Sequence, residues 1–294
     1  VPETLRLSAR RRRPTTIRAG LRPIVAAVTA VVAAFSLSAP AEAAVRSTVQ
    51  SSAQSTTQST TQSAAQSAAR GNALIGNPLY KTGEFDFPDC KELSRSPDDL
   101  DSYRVYLDHL LDCLNVSWTE EFRQARLPFS PPKVRYITRG VKTGCGTYPA
   151  NYAAGMYCLL DKTMWIMVSK YQLADPNEFN LFTVIAHEYG HYAQDRAGVF
   201  TAANRQLRKA SKRQVYAMTR RIELQAECFS GAFIGSVWSS LGRDQVDFDK
   251  QLDWIMGDKL HGTTKNIRYW LKRGWLANGP HACNTFSAPA SRVT

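Results

Sequence analysis

His187-Glu188-Tyr189-Gly190-His191 sets two imidazoles four residues apart, with a carboxylate directly after the first. If the segment is helical, both rings lie on one face, one turn apart, and two nitrogens can reach a single ion. Glu188 is then rotated about 100° from His187, so its carboxylate flanks the open side of that ion and can address a water there. Zinc lowers the pKa of such a water from about 16 toward 7, and a neighbouring carboxylate can take the proton. The spacing therefore points to zinc-assisted hydrolysis, with His187 and His191 as ligands and Glu188 as general base.

A catalytic zinc takes a third protein ligand and keeps a fourth position open. One class of such enzymes supplies a histidine six residues past the second, but here that position is Ala197, and Gln194 stands where that pattern has glycine. Farther along, Glu223-Leu224-Gln225-Ala226-Glu227 stacks two carboxylates on one helix face. Glu223 is expected as the third ligand. Glu227 is expected to accept the free ring N–H of His187 and so fix its tautomer. Leu224, Ala226, Cys228, Phe229, Ala232 and Phe233 surround the pair with apolar neighbours, which favours a buried site that needs a cation. His261 has two readings: loop packing, or stabilisation of the oxyanion of a tetrahedral intermediate beside the metal. Tyr189 and Tyr192 are weighed for the same role against packing in the core. His109 has no partner at ligand spacing and reads as a surface residue.

These side chains need elements to hold them. Asp175-Pro176-Asn177-Glu178 signals the start of a helix through the motif, and Gly198 its stop. Residues 98–118 repeat apolar side chains at helical steps, and residues 134–138, 156–160 and 164–168 read as strands. The last two form a hairpin around Asp161-Lys162, and helices follow over 214–241, 244–259 and 265–277. The expected fold is α+β and mainly helical, with a small antiparallel sheet and the cleft between sheet and helices. An edge strand over 164–168 is expected to align an extended peptide above the metal.

The 294 residues carry a net charge of +12, which raises a nucleic-acid or membrane reading. Its distribution argues otherwise. Seven arginines against Glu3 and Glu42 place five of those charges in residues 1–43. There a basic run precedes the apolar residues 24–37 and Ala41-Glu42-Ala43, the layout of a cleaved secretory signal. The apolar stretch is short for a membrane anchor, so no stable membrane insertion is expected after cleavage. The arginine run leaves twin-arginine and general secretory export both open. From Gln50, five Gln-Ser-led tetrapeptides lack charge and large apolar groups, so residues 44–70 read as a disordered linker to a domain over 71–294. Arg205, Arg208, Lys209, Lys212, Arg213, Arg220 and Arg221 could attach to an envelope or nucleic acid, but read as a solvated helix face. Six cysteines, all after the cleavage site, fit an oxidising destination, and spacing alone leaves their pairing open.

Gly144-Cys145-Gly146, Tyr157-Cys158, His187 to His191, Glu223 to Gly231, His261-Gly262-Thr263 and Cys283-Asn284-Thr285-Phe286 run in an order that resembles the bacterial putative neutral zinc metallopeptidase family. The resemblance spans about residues 72 to 287. It implies a zincin-like, gluzincin-type peptidase domain with His187, His191 and Glu223 on zinc. It also pairs Cys145 with Cys158 and Cys228 with Cys283, which leaves Cys90 for Cys113. The family run usually ends Glu-Leu-Gln-Ala-Asp-Cys, whereas this chain has Glu227. The expectation is a secreted or envelope-associated zinc endopeptidase acting on peptide or protein substrates, without a nucleic-acid partner. The alternative is a non-catalytic, zinc-stabilised binding protein of the cell envelope.

Overall fold

Helix α1, Leu100–Gln124, starts where the Asp99 carboxylate accepts from the backbone N–H groups of Asp101 and Ser102, at 2.9 and 3.0 Å. Tyr103, Tyr106, Leu107, Leu110, Leu111 and Leu114 bury its inner face, and Trp118 and Phe122 continue the stripe past the expected end at 118. The computed structural model describes residues 73–86, 89–150, 153–174 and 178–294. The signal and linker segments, 1–43 and 44–70, and the Asp175-Pro176-Asn177 start signal lie outside the described residues.

Strand β1, Lys133–Ile137, is followed by β2, Lys142–Thr143, and β3, Gly146–Thr147, which pair antiparallel with each other. The expected hairpin forms from β4, Gly155–Cys158, and β5, Thr163–Met167, with Lys162 at φ 55° in its turn. The main sheet has the order β1-β5-β4, with β1 parallel to β5, so it is mixed rather than purely antiparallel. The segment between β1 and β5 provides the crossover that parallel pairing requires. Alternation divides β5: Met164 and Ile166 join the main core, while Met167 packs with Ile137 and Tyr148 on the other face. This order overturns the expected edge position of 164–168. β5 is central, and β4 is an edge.

After α2, Lys170–Ala174, come α3, Glu178–Arg196, and α4, Val199–Leu207, separated by Gly198 at φ 80°. Then α5, Lys212–Leu241, opens on a Ser211–Gln214 capping box, and α6, Gln245–Trp254, and α7, Thr264–Ala277, follow. Helix α4 lies between the expected stop at Gly198 and the expected helix from 214. It is short, and its buried Val199, Ala202 and Ala203 form a small cluster with Ala73, Leu74 and Ile222. No helix among the described residues is long and apolar enough to cross a membrane.

Three disulfides join Cys90 to Cys113, Cys145 to Cys158 and Cys228 to Cys283, closing separations of 23, 13 and 55 residues. On the chain-entropy model each is worth about 3 to 4 kcal/mol. They tie the segment before α1 to α1, the β3 region to β4, and α5 to the C-terminal segment.

Candidate metal centre

Helical spacing sets His187 and His191 side by side on α3, with ring centroids 4.7 Å apart and Nε2 atoms 3.1 Å apart. Helix α5 crosses α3 at Gly190, where an added Cβ would lie 3.1 Å from Ala226 O. That close crossing brings Glu223 to the histidines. Its Oε2 lies 3.4 Å from His187 Nε2 and 3.0 Å from His191 Nε2. One turn on, Glu227 Oε2 is 3.0 Å from His187 Nδ1, so glutamate in place of the aspartate usual in the resembled run still reaches the ring. On the other ring, His191 Nδ1 is 2.9 Å from Gln194 Oε1.

Both Nδ1 atoms thus face oxygen acceptors, which makes them the N–H donors and leaves lone pairs on both Nε2 atoms. Two imidazole lone pairs and a carboxylate oxygen then converge on one point, which is repulsive until a cation occupies it. Tetrahedral zinc with bonds of about 2.0 to 2.1 Å separates its ligands by about 3.3 Å. Edges of 3.1, 3.4 and 3.0 Å fit that ion. The electrostatics agree. Burial pulls the His187 imidazolium pKa down, but Glu223 and Glu227 outweigh burial and hold it well above the usual value. His191 is likewise raised by Glu223 against burial. Burial pushes the Glu223 carboxyl up, yet His191, His187 and His261 bring it well below the ordinary range. Without an ion, the cluster attracts protons in its place.

Glu188 lies under the free edge of β4, where its Oε2 accepts from Tyr157 N at 2.6 Å. Its Oε1 makes no hydrogen bond among the described residues. Gly155 permits this approach, because a Cβ there would fall 2.7 Å from Glu188 Cγ. The Tyr157 hydroxyl donates to Asp195 Oδ2 at 2.7 Å, and Lys162 Nζ reaches the same oxygen at 2.8 Å, fastening β4 to the far end of α3.

His261 sits on the loop between α6 and α7, its Nε2 3.6 Å from Glu223 Oε2. Its Nδ1 donates to Asp258 Oδ2 at 2.8 Å, while Asp258 Oδ1 accepts from the backbone N–H of Leu260 and of His261 at 2.6 and 2.8 Å. His187, Glu223 and His261 each place a donor atom within 4.8 Å of the others.

Tyr189 and Tyr192 take the core reading: their hydroxyls donate to Asn115 Oδ1 at 2.7 Å and to Ser130 O at 2.5 Å, within an aromatic cluster. His109 Nε2 is 2.7 Å from Lys91 O, and the neighbouring Cys90 and Cys113 are bonded to each other. Of the basic residues, Arg220 and Arg221 hold backbone carbonyls of the C-terminal segment. Arg205, Arg208, Lys209, Lys212 and Arg213 are exposed and make no ion pair among the described residues. Sequence reasoning missed Asp258, Tyr157 and Gln225, and met Gln194 only as a departure from another pattern. Asp258 three residues before His261 was the one local signal available.

Residues 89–251 match the model of a family described as putative neutral zinc metallopeptidase. The uncharacterized protein YpfJ of Escherichia coli K12 is 26% identical over 215 residues, covering 66% of this chain and 74% of that protein. The uncharacterized proteins Mb2605 of Mycobacterium bovis and Rv2575 of Mycobacterium tuberculosis H37Rv are each 28% identical over 194 residues, covering 54% of this chain and 64% of theirs. No solved structure matches.

Proposed function

The chain belongs to the putative neutral zinc metallopeptidase family, and from that premise we propose that it is a zinc-dependent endopeptidase of an oxidising, extracytoplasmic compartment. The observation that carries this reading is the triangle of His187 Nε2, His191 Nε2 and Glu223 Oε2, with edges of 3.0 to 3.4 Å and Glu188 beside it. Zinc, when bound by these three residues, supplies Lewis acidity and brings the pKa of a coordinated water toward neutrality. Glu188 takes the proton of the attacking water and passes it to the leaving amine. Tyr157 N–H holds one oxygen of that carboxylate, which leaves the other for the proton.

Antiparallel alternation points the backbone groups of Gly155 and the carbonyl of Tyr157 away from β5, and with Tyr157 N–H held by Glu188 these are the edge groups that can pair with an extended peptide. The Asp258–His261 pair leaves His261 Nε2 facing the site, where it can donate to the oxyanion of the tetrahedral intermediate once protonated. Pairing of all six cysteines supports the oxidising compartment, as does the signal-like layout of residues 1–43.

The nearness of His261 to His187 and Glu223 also favours a second reading, in which His261 takes the position otherwise left for water and the protein is a zinc-stabilised binding protein of the envelope. A closed shell has no use for a carboxylate like Glu188 beside it. Metal analysis combined with chelator-sensitive digestion of a peptide library separates the two. Glu188→Gln is expected to keep its zinc and lose about 10²- to 10⁴-fold in kcat. Undiminished proteolysis by that variant refutes the assigned base. A zinc-loaded wild type that cleaves nothing supports the binding protein.

A further inference from the structure

Behind His191, two buried amides join α3 to α5. Gln194 and Gln225 are both 0% exposed, and every polar atom of both side chains is hydrogen-bonded. Gln194 Oε1 faces His191 Nδ1 at 2.9 Å, and Gln194 Nε2 lies 2.8 Å from Ile222 O and 3.1 Å from Gln225 Oε1. Gln225 Nε2 lies 3.0 Å from Cys283 O and 2.6 Å from the Tyr80 hydroxyl. That hydroxyl donates to Leu74 O at 2.9 Å.

The direction of this chain is not free. Backbone carbonyls only accept, so Cys283 O obliges Gln225 to present its NH2, and Ile222 O obliges Gln194 to do the same. The Gln225 oxygen must then face Gln194, and the Gln194 oxygen must face His191. An oxygen at Nδ1 places the ring proton there and leaves the lone pair on Nε2, the atom turned toward Glu223 and His187. Reversing either amide would set oxygen against oxygen inside a fully buried site. Tyr80 completes the arrangement from outside α3 and α5. It lies on the turn Pro78–Lys81, which is held to the end of α3 by Asn77 Nδ2 donating to Ala197 O at 3.1 Å.

We propose that Gln194, oriented by Gln225 and Tyr80, is the positioning residue that fixes His191 as an Nε2 donor, and that metal affinity is thereby tied to the docking of residues 73–80. The proposal rests on the zinc site argued above and extends it to residues that never touch the ion. Partners of this kind on other metal-binding histidines are worth about 10- to 100-fold in metal affinity.

Zinc affinity of the full chain is measured by competition with a chromophoric chelator, beside the thermal unfolding of the metal-free protein and the ¹⁵N signals of the histidines in the zinc-loaded protein. Gln194→Met should bind zinc about 10- to 100-fold more weakly and, once saturated with zinc, lose the hydrogen-bonded Nδ1–H signal of His191. Tyr80→Phe, which keeps the ring and removes only the hydroxyl, should weaken zinc binding less. Affinities within twofold of wild type in both variants overturn the proposal. If Gln194→Met does not fold, Tyr80→Phe decides alone, and unchanged affinity there overturns it. His191→Ala separates the two levels of the argument. If it loses zinc while the other two variants bind normally, only the amide relay fails; if it too binds normally, the zinc site itself fails.

Discussion

A metal-ligating imidazole almost always donates its second N–H to a partner, and here a carboxylate faces that nitrogen on His187 and a primary amide faces it on His191. The contrast has a consequence for charge. Glu227 adds a negative charge behind His187, while Gln194 fixes the His191 tautomer without adding one. A different carboxylate, Glu121 on α1, is buried without such a partner. One oxygen accepts from Thr82 Oγ1, and the other has no hydrogen-bond partner among the described residues. Burial pushes its pKa up to about 7, Thr82 opposes the rise, and Asp86 and Glu120 add to it. A carboxyl whose folded value exceeds its unfolded value stabilises the fold fully below about 4.5, and this contribution is lost as pH rises through about 7. The melting temperature of the protein should therefore fall between pH 5 and 8 relative to Glu121→Gln, with the gap closing in acid. Parallel melting curves for the two proteins across that range would contradict the assignment.

At the scale of elements, the site depends on two close approaches. Helix α5 reaches α3 at Gly190, and β4 reaches Glu188 at Gly155. In Gly155→Ala the new Cβ would meet Glu188 Cγ at 2.7 Å and Val184 Cγ1 at 3.1 Å, so the strand or the base must move. Overpacking of this kind costs about 1 to 3 kcal/mol. A displacement near 1 Å at a reacting group costs about 10²-fold in rate. The variant should keep its zinc, since no ligand is touched, and lose most of its kcat. Equal losses of zinc and activity would place the damage in the metal site instead. The Tyr157–Asp195–Lys162 cluster fastens β4 to α3 from its far end.

Over the whole molecule, the proposed metal site bridges α3 and α5, while the three disulfides secure the segments around them. Chelation should consequently loosen the centre and leave the covalent frame intact. With free zinc at about 1,000 times its Kd, the loaded protein gains about 4 kcal/mol over the metal-free form. For a domain of this size that is a rise in Tm on the order of 10 °C. Differential scanning with and without chelator, under non-reducing conditions, measures it. A Tm indifferent to zinc would remove the metal from the account of stability as well as of function.

Much of this was local enough to read from the chain. The four-residue step between His187 and His191 puts them on one helix face wherever that helix lies, and the 223–227 pair obeys the same rule. The hairpin and the long helices follow from period and capping, which are properties of neighbouring residues. Tertiary structure decided which strand became the edge, because pairing order depends on where the segment between β1 and β5 leads the chain, and the period of a strand says nothing about its neighbour. It also brought His261, held by Asp258, to Glu223, and Tyr80 and Cys283 to Gln225. Those contacts join residues up to 145 positions apart, and hydrogen bonds of that kind leave no periodic trace in the sequence.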